Sequence, residues 1–285
     1  MHTGVTYRKN IPYLGADEAL EIANSGLATD MVSVIIFASM HAYGVIGSQM
    51  VINRSVTDEL HESDIGSTVH FADIPWPAQS LEMFFEDPAL PTLLVTYMNV
   101  SDMEGIGIKT SAVSKRYSKD QRVIRICAFP SYPEGAGNVI SYSPEDMDGF
   151  VHDRHTSVLQ LQGGACLTES DESDMREFAI LVFKVLAYCA VPRCTPKAGT
   201  RKDLKFGGKA GVKNRPERPI LRVVSLPPHI HAEAHAKGSG SKRTFMGRRG
   251  HFHFYRHARF TNKRGTFDYF PAVKVGQTRT LFKVR

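Results

Sequence analysis

The stretch TESDESDMREFAILVFKVLAYCAVP, residues 168–192, constrains the fold more than any other part of the chain. Its acids cluster at the start, where the helix dipole favours negative charge. Met175, Phe178, Val182, Val185, Leu186 and Cys189 then follow at helical spacing, and Pro192 ends the run. A long helix with such an apolar face has to lie against an equally apolar surface. The acidic run Glu169 to Asp174 compensates the dipole and is not read as a metal site.

The rest of the first two-thirds supplies that surface. GADEALEIANSGL predicts a helix, with Asp17 and Glu18 near its start, and TDMVSVIIFASMHAYG a second, buried one capped by Thr29 or Asp30 and stopped at Gly44. YSPEDMDGFVHD predicts a third, with Ser143 as N-cap and Pro144 in the first turn. In IPWPAQSLEMFFEDPALP, paired prolines bound a short segment with Leu81, Phe84 and Phe85 on one face. TLLVTYMNV, GIGIKTSAV and RVIRICAF are expected strands. The fold class expected is α+β, with helices packed on a central antiparallel sheet and a small basic β unit at the C-terminus.

A chain of 285 residues has room for one or two domains. Its most apolar run, Met31 to Met40, is about half the roughly 20 residues of a membrane span, and the N-terminus carries no secretory pattern. A cytoplasmic protein with no membrane partner is expected. Its four cysteines fit no disulfide framework or zinc knuckle, and Cys166 has no nucleophile signature around it.

Charge divides the chain. From Lys197 to the C-terminus there are 22 Lys and Arg against four acids, a net of +18, whereas the preceding residues hold 13 cations against 25 acids, a net of −12. Such asymmetry points to two parts with different partners, the basic one toward polyanions. Residues 1–194 are read as an acidic α+β domain that binds a polypeptide. Residues 195–219, rich in Gly, Pro and cations, are read as a linker or arm, and residues 220–285 as a His/Arg-rich β unit that contacts RNA.

The basic unit contains GRRGHFHFYRH, residues 247–257. As a strand it sets His251, His253, Tyr255 and His257 on one face and Phe252, Phe254, Arg256 and Ala258 on the other. Several readings stay open. His229 and His231, with His235 or His251, offer imidazoles to a metal, yet no cysteine pair or H-E-x-x-H pattern accompanies them. Alternatively, His251 and His253, with Tyr255 and Arg256, supply metal-independent acid–base cleavage of RNA. In a third reading, Arg248, Arg249, His229, His231 and His257 hold phosphates while aromatics stack on bases, without chemistry. The histidines would otherwise serve only to hydrogen-bond the unit together.

Residues 227–276, PPHIHAEAHAKGSGSKRTFMGRRGHFHFYRHARFTNKRGTFDYFPAVKVG, resemble the C-terminal signature of an anti-CRISPR family that acts against the type V-A effector nuclease, and of related phage and plasmid proteins. The matching positions are Arg248, Arg249, Gly250, His251, Phe252, Tyr255 and Pro271 to Val273; Phe252 stands where that signature usually has tryptophan. Outside these residues only the order of elements agrees, including the proline-tryptophan segment Pro75 to Pro77. The resemblance implies an inhibitor, acting in a bacterial host, that recognises a nascent polypeptide at the ribosome and causes loss of the mRNA being translated. It implies no cofactor and leaves open whether the chain is itself a ribonuclease. The alternatives are a non-catalytic nucleic-acid- or protein-binding inhibitor and a metal-dependent nuclease.

Overall fold

In a computed structural model describing residues 14–26, 31–66, 68–110, 117–129, 138–152, 169–200, 218–224 and 249–272, helices cover both faces of a seven-stranded sheet. Helices α1 (Ala16–Ser25) and α2 (Met31–Ile46) lead into strand β1 (Gly47–Ile52) and helix α3 (Arg54–His61). A 3-10 turn, Phe71–Asp73, precedes β2 (Ser80–Phe85) and β3 (Leu93–Asn99), and α4 (Val100–Gly105) leads to β4 (Arg122–Ala128) and β5 (Asn138–Tyr142). Helices α5 (Pro144–His152) and α6 (Glu169–Ala190) follow, then β6 (Lys197–Ala198), β7 (Ile220–Val223) and the hairpin β8 (His251–Phe254) and β9 (Phe267–Phe270). The α+β class is as expected.

The sheet runs β5-β4-β3-β2-β1-β7-β6 and is mixed, which corrects the expectation of an antiparallel sheet. β1 pairs parallel with both β2 and β7, while β2 through β5, and β6 with β7, are antiparallel. The parallel β1–β2 pair needs a crossover, which α3 and the 3-10 turn provide. β7 is thus a strand of the main sheet, although it falls within residues 220–285.

Alternation along the strands separates two packing layers. Met50, Ile52, Leu81, Met83, Phe85, Leu93, Val95, Ile124 and Ile126 share a core with α3, α5 and α6. Leu94, Cys127 and Val139 pack with Ala19, Ile35, Ile36, Met40 and Tyr43 of α1 and α2. This second layer also holds polar groups: the buried Glu82 carboxylate accepts from the Tyr43 hydroxyl at 2.6 Å and from Gln49 Nε2 at 3.0 Å. Buried carboxylates are tolerated when hydrogen-bonded in this way.

Local rules explain several boundaries. α1 stops at Gly26, whose φ of 75° is left-handed. In α5, Ser143 Oγ accepts from the Asp146 N–H at 3.1 Å, the expected cap. α2 continues past Gly44 to Ile46; the glycine lies against α1, where an added Cβ would sit 2.5 Å from Ala16 Cβ. The segment with Leu81, Phe84 and Phe85 is strand β2, buried throughout; a central strand shows no in–out alternation to read. Residues 106–110 of GIGIKTSAV form no strand.

α6 organises the core. Phe183 stacks on Phe71 at 3.9 Å, Lys184 Nζ donates to the Leu60 carbonyl of α3 at 2.9 Å, Arg176 lies 4.8 Å over Phe150 of α5, and Tyr188 meets Tyr269 of β9 edge-on at 5.5 Å. The hairpin is anchored here: Phe252, Phe267 and Tyr269 are buried in the same core, and Asp64 exchanges backbone hydrogen bonds with Gly250 and Phe252. Gly250 is required at this crossing, since an added Cβ would sit 2.6 Å from the Tyr269 hydroxyl. Replacing Phe252, 1 % exposed, by alanine should lower stability by about 3–5 kcal/mol. Denaturant unfolding should show this as a shifted single transition; a separate early transition of the hairpin would contradict the shared core.

Candidate nucleic-acid interface

The hairpin register places His251 opposite Phe270, Phe252 opposite Tyr269, His253 opposite Asp268 and Phe254 opposite Phe267. With the strand period of two, Phe252, Phe254, Phe267 and Tyr269 face the core, and His251, His253, Asp268 and Phe270 face away from it. The expected alternation holds over β8. It stops at Phe254, because the chain turns over residues 256–265.

Tyr255 still joins the outer group: its ring meets His253 at 4.5 Å and Phe260 at 4.9 Å, and its hydroxyl donates to Asp268 Oδ2 at 3.4 Å. Asp268 also takes Arg193 at 3.1 Å and Lys263 at 3.2 Å. The bond to Asp268 raises the Lys263 pKa further above its ordinary range, so this ammonium stays charged. Arg193 donates a second bond to the Tyr269 carbonyl at 2.5 Å, tying the segment after α6 to β9. Asp268 thus organises the hairpin more than it neutralises it.

Around this aromatic group the surface is cationic. The described residues 249–272 carry Arg249, Arg256, Arg259, Lys263 and Arg264 against the single acid Asp268. The Arg249 side chain is 78 % exposed and 3.7 Å from Asp64, itself 61 % exposed, a pair that water screens. Arg259 and Arg264 are exposed on the turn, where Arg259 lies 4.7 Å over Phe260. Arg256 is partly committed: it pairs with Asp73 and covers Phe254 at 5.5 Å. His257 is exposed, and its Nδ1 accepts from the Arg259 N–H at 3.1 Å.

Of the residues singled out for acid–base work, His253 and Tyr255 are in ring contact, and His251 stacks on Phe270 at 4.9 Å with Nδ1 buried. Arg256 is directed to Asp73 instead of toward them. Arg248, His229, His231 and His235 lie outside the described residues, as does Cys166. Burial pushes the thiols of Cys127 and Cys194 up to about 12, so neither is a nucleophile. Among the described residues, no three His, Cys, Asp or Glu side chains gather as metal ligands would. No helix of the described residues is long and apolar enough to cross a membrane.

Two features were not read from the sequence. One is a cleft of about 660 Å³ between α3 and α6, lined by Asp58, Glu62, Asp87 and Glu177 over Leu90 and Leu181, with Lys184 at its base. The other is a histidine pair beside the 3-10 turn. Asp148 Oδ2 accepts from His70 Nδ1 at 3.0 Å, Asp148 Oδ1 accepts from the Phe71 N–H at 2.8 Å, and the His70 and His152 rings lie 6.5 Å apart. Asp148 and His152, four residues apart on α5, share a helix face, which was the only available signal. His70 is distant in sequence and sits in no motif.

No protein-family model matches the chain, and no curated protein does. What the fold and this surface define is an α+β protein with a cationic, aromatic-lined hairpin docked on an acidic body.

Burial raises the Asp148 pKa, and the Phe71 and His70 hydrogen bonds only partly offset this. The native state therefore holds this proton to a higher pH than the unfolded chain does. The stabilisation from Asp148 is fully present below the ordinary carboxylate pKa and is lost as pH rises from there through the folded pKa. Across the interval just above the ordinary carboxylate pKa, wild type should lose stability relative to Asp148→Asn. Parallel pH-dependent unfolding curves for the two proteins would contradict this.

Proposed function

We propose that the chain is a phage- or plasmid-encoded inhibitor of the type its C-terminal signature resembles. Its acidic body engages a polypeptide emerging from the ribosome, and its basic hairpin engages the mRNA being translated, which is then down-regulated. The observation that carries the RNA half is the five-to-one excess of cations over acids around a cluster of half-buried rings. Arg249, Arg259, Lys263 and Arg264 are placed to neutralise phosphates, which drives association by counterion release. Phe260 and His253 offer edges and faces to unpaired bases, a combination suited to single-stranded RNA over duplex DNA.

The acidic cleft supports the polypeptide half, since its carboxylates over an apolar wall suit a segment carrying Lys or Arg beside apolar residues. That same cleft favours the second reading, a non-catalytic inhibitor that blocks a protein directly. Transcript levels separate the two.

Affinity for a labelled single-stranded RNA should fall steeply with salt. Arg259→Ala and Arg264→Ala should each reduce the slope of log K against log salt by about 0.7. In cells, the target transcript should fall with wild type and recover with the double variant. A salt-independent affinity, or an unchanged transcript with wild type, would overturn the RNA reading.

A further inference from the structure

His70 and His152 are each anchored through one ring nitrogen. With Asp148 ionised, its oxygen only accepts, so His70 Nδ1 carries the proton and Nε2 keeps its lone pair. His152 Nε2 lies 3.3 Å from the Val69 carbonyl, which also only accepts, so Nδ1 keeps the lone pair there. Neither of these lone-pair nitrogens has a hydrogen-bond partner among the described residues. The His70 side chain is 39 % exposed and His152 is exposed as well.

Both rings rest on the core. His152 meets Phe183 edge-on at 6.1 Å, and Phe183 stacks on Phe71, the residue after His70. A carboxylate fixing a histidine tautomer is the device of many acid–base sites. Here it holds one of two imidazoles whose centroids are 6.5 Å apart, a separation one phosphodiester can span.

The 3-10 turn links the pair to the cationic hairpin. Asp73, which grips Arg256, lies three residues beyond His70, about 6 Å along a 3-10 turn. The charged group facing the pair is Asp148 on α5; Asp73, paired with Arg256, ends the 3-10 turn that follows His70.

We propose that His70 and His152 form the acid–base pair for cleavage of RNA held on the hairpin, with Asp148 as a positioning residue and His251 and His253 serving binding. The proposal rests on the RNA reading above. One imidazole, entering neutral, takes the proton of a 2′-hydroxyl as that oxygen attacks the adjacent phosphorus. The other, entering protonated, gives its proton to the departing 5′-oxygen. The P–O5′ bond breaks as the P–O2′ bond forms, leaving a 2′,3′-cyclic phosphate and a 5′-hydroxyl, with no oxidant or reductant needed.

The test uses the full chain, a short end-labelled single-stranded RNA and excess EDTA. Wild type should cut it to cyclic-phosphate and 5′-hydroxyl ends. His70→Asn keeps a donor to Asp148, and His152→Gln keeps a donor to the Val69 carbonyl. Each should lower the cleavage rate by about 100-fold or more with RNA affinity and thermal unfolding unchanged. His253→Gln, on the binding surface, should weaken RNA affinity. RNA that is bound but not cut by wild type, cutting abolished by EDTA, or undiminished cutting by both variants would each overturn the pair while leaving the binding reading in place. Absence of RNA binding by wild type would overturn both.

Discussion

Burial of α6 against the sheet is the constraint from which the remaining geometry follows. Its ring at Phe183 seats Phe71 and so fixes the 3-10 turn; its Tyr188 receives Tyr269 and so fixes the hairpin. The same helix orients α3 through Lys184, whose ammonium loses hydration and gains the Leu60 carbonyl; burial lowers its pKa accordingly. One apolar helix therefore sets where the basic surface, the acidic cleft and the histidine pair stand. Van der Waals contacts on this scale are individually small, but together they decide which loops are held and which are not.

The charge partition acquires a spatial meaning from this arrangement. Among the described residues of the basic part, β7 completes the main sheet and the hairpin shares its core. Cations are nevertheless kept at the surface on one turn, because its apolar partners already fill the inward face and leave residues 256–266 exposed apart from Phe260. The carboxylates gather in the cleft between α3 and α6. The cationic and the acidic surfaces are thus separate on one frame.

Helices α1, α5 and α6 were legible because caps, first-turn acids and apolar periodicity are local properties. β3, β4 and the hairpin strands were legible from β-branched and aromatic runs. β2 was not, since burial on both faces erases alternation, and the parallel pairing of β1 was not, since register between distant segments leaves no local trace. The same reasoning divides the candidate site. The phenylalanine floor and histidine row of β8 follow from period two, whereas the end of that alternation at Phe254 depends on a turn that packs Phe260 onto Tyr255. His70 and Asp148, distant in sequence, meet where the Phe71–Phe183 stack seats the turn on α6 beside α5.

The central claim is that the hairpin is the RNA surface of this frame. Photo-crosslinking of the full chain to single-stranded RNA, followed by identification of the crosslinked peptides, tests it most directly. The account predicts crosslinks concentrated in residues 249–264, at His253 and Phe260 among others, and lost at high salt. Crosslinks that spare this segment, or that concentrate on α1 and α2 across the sheet, would contradict it.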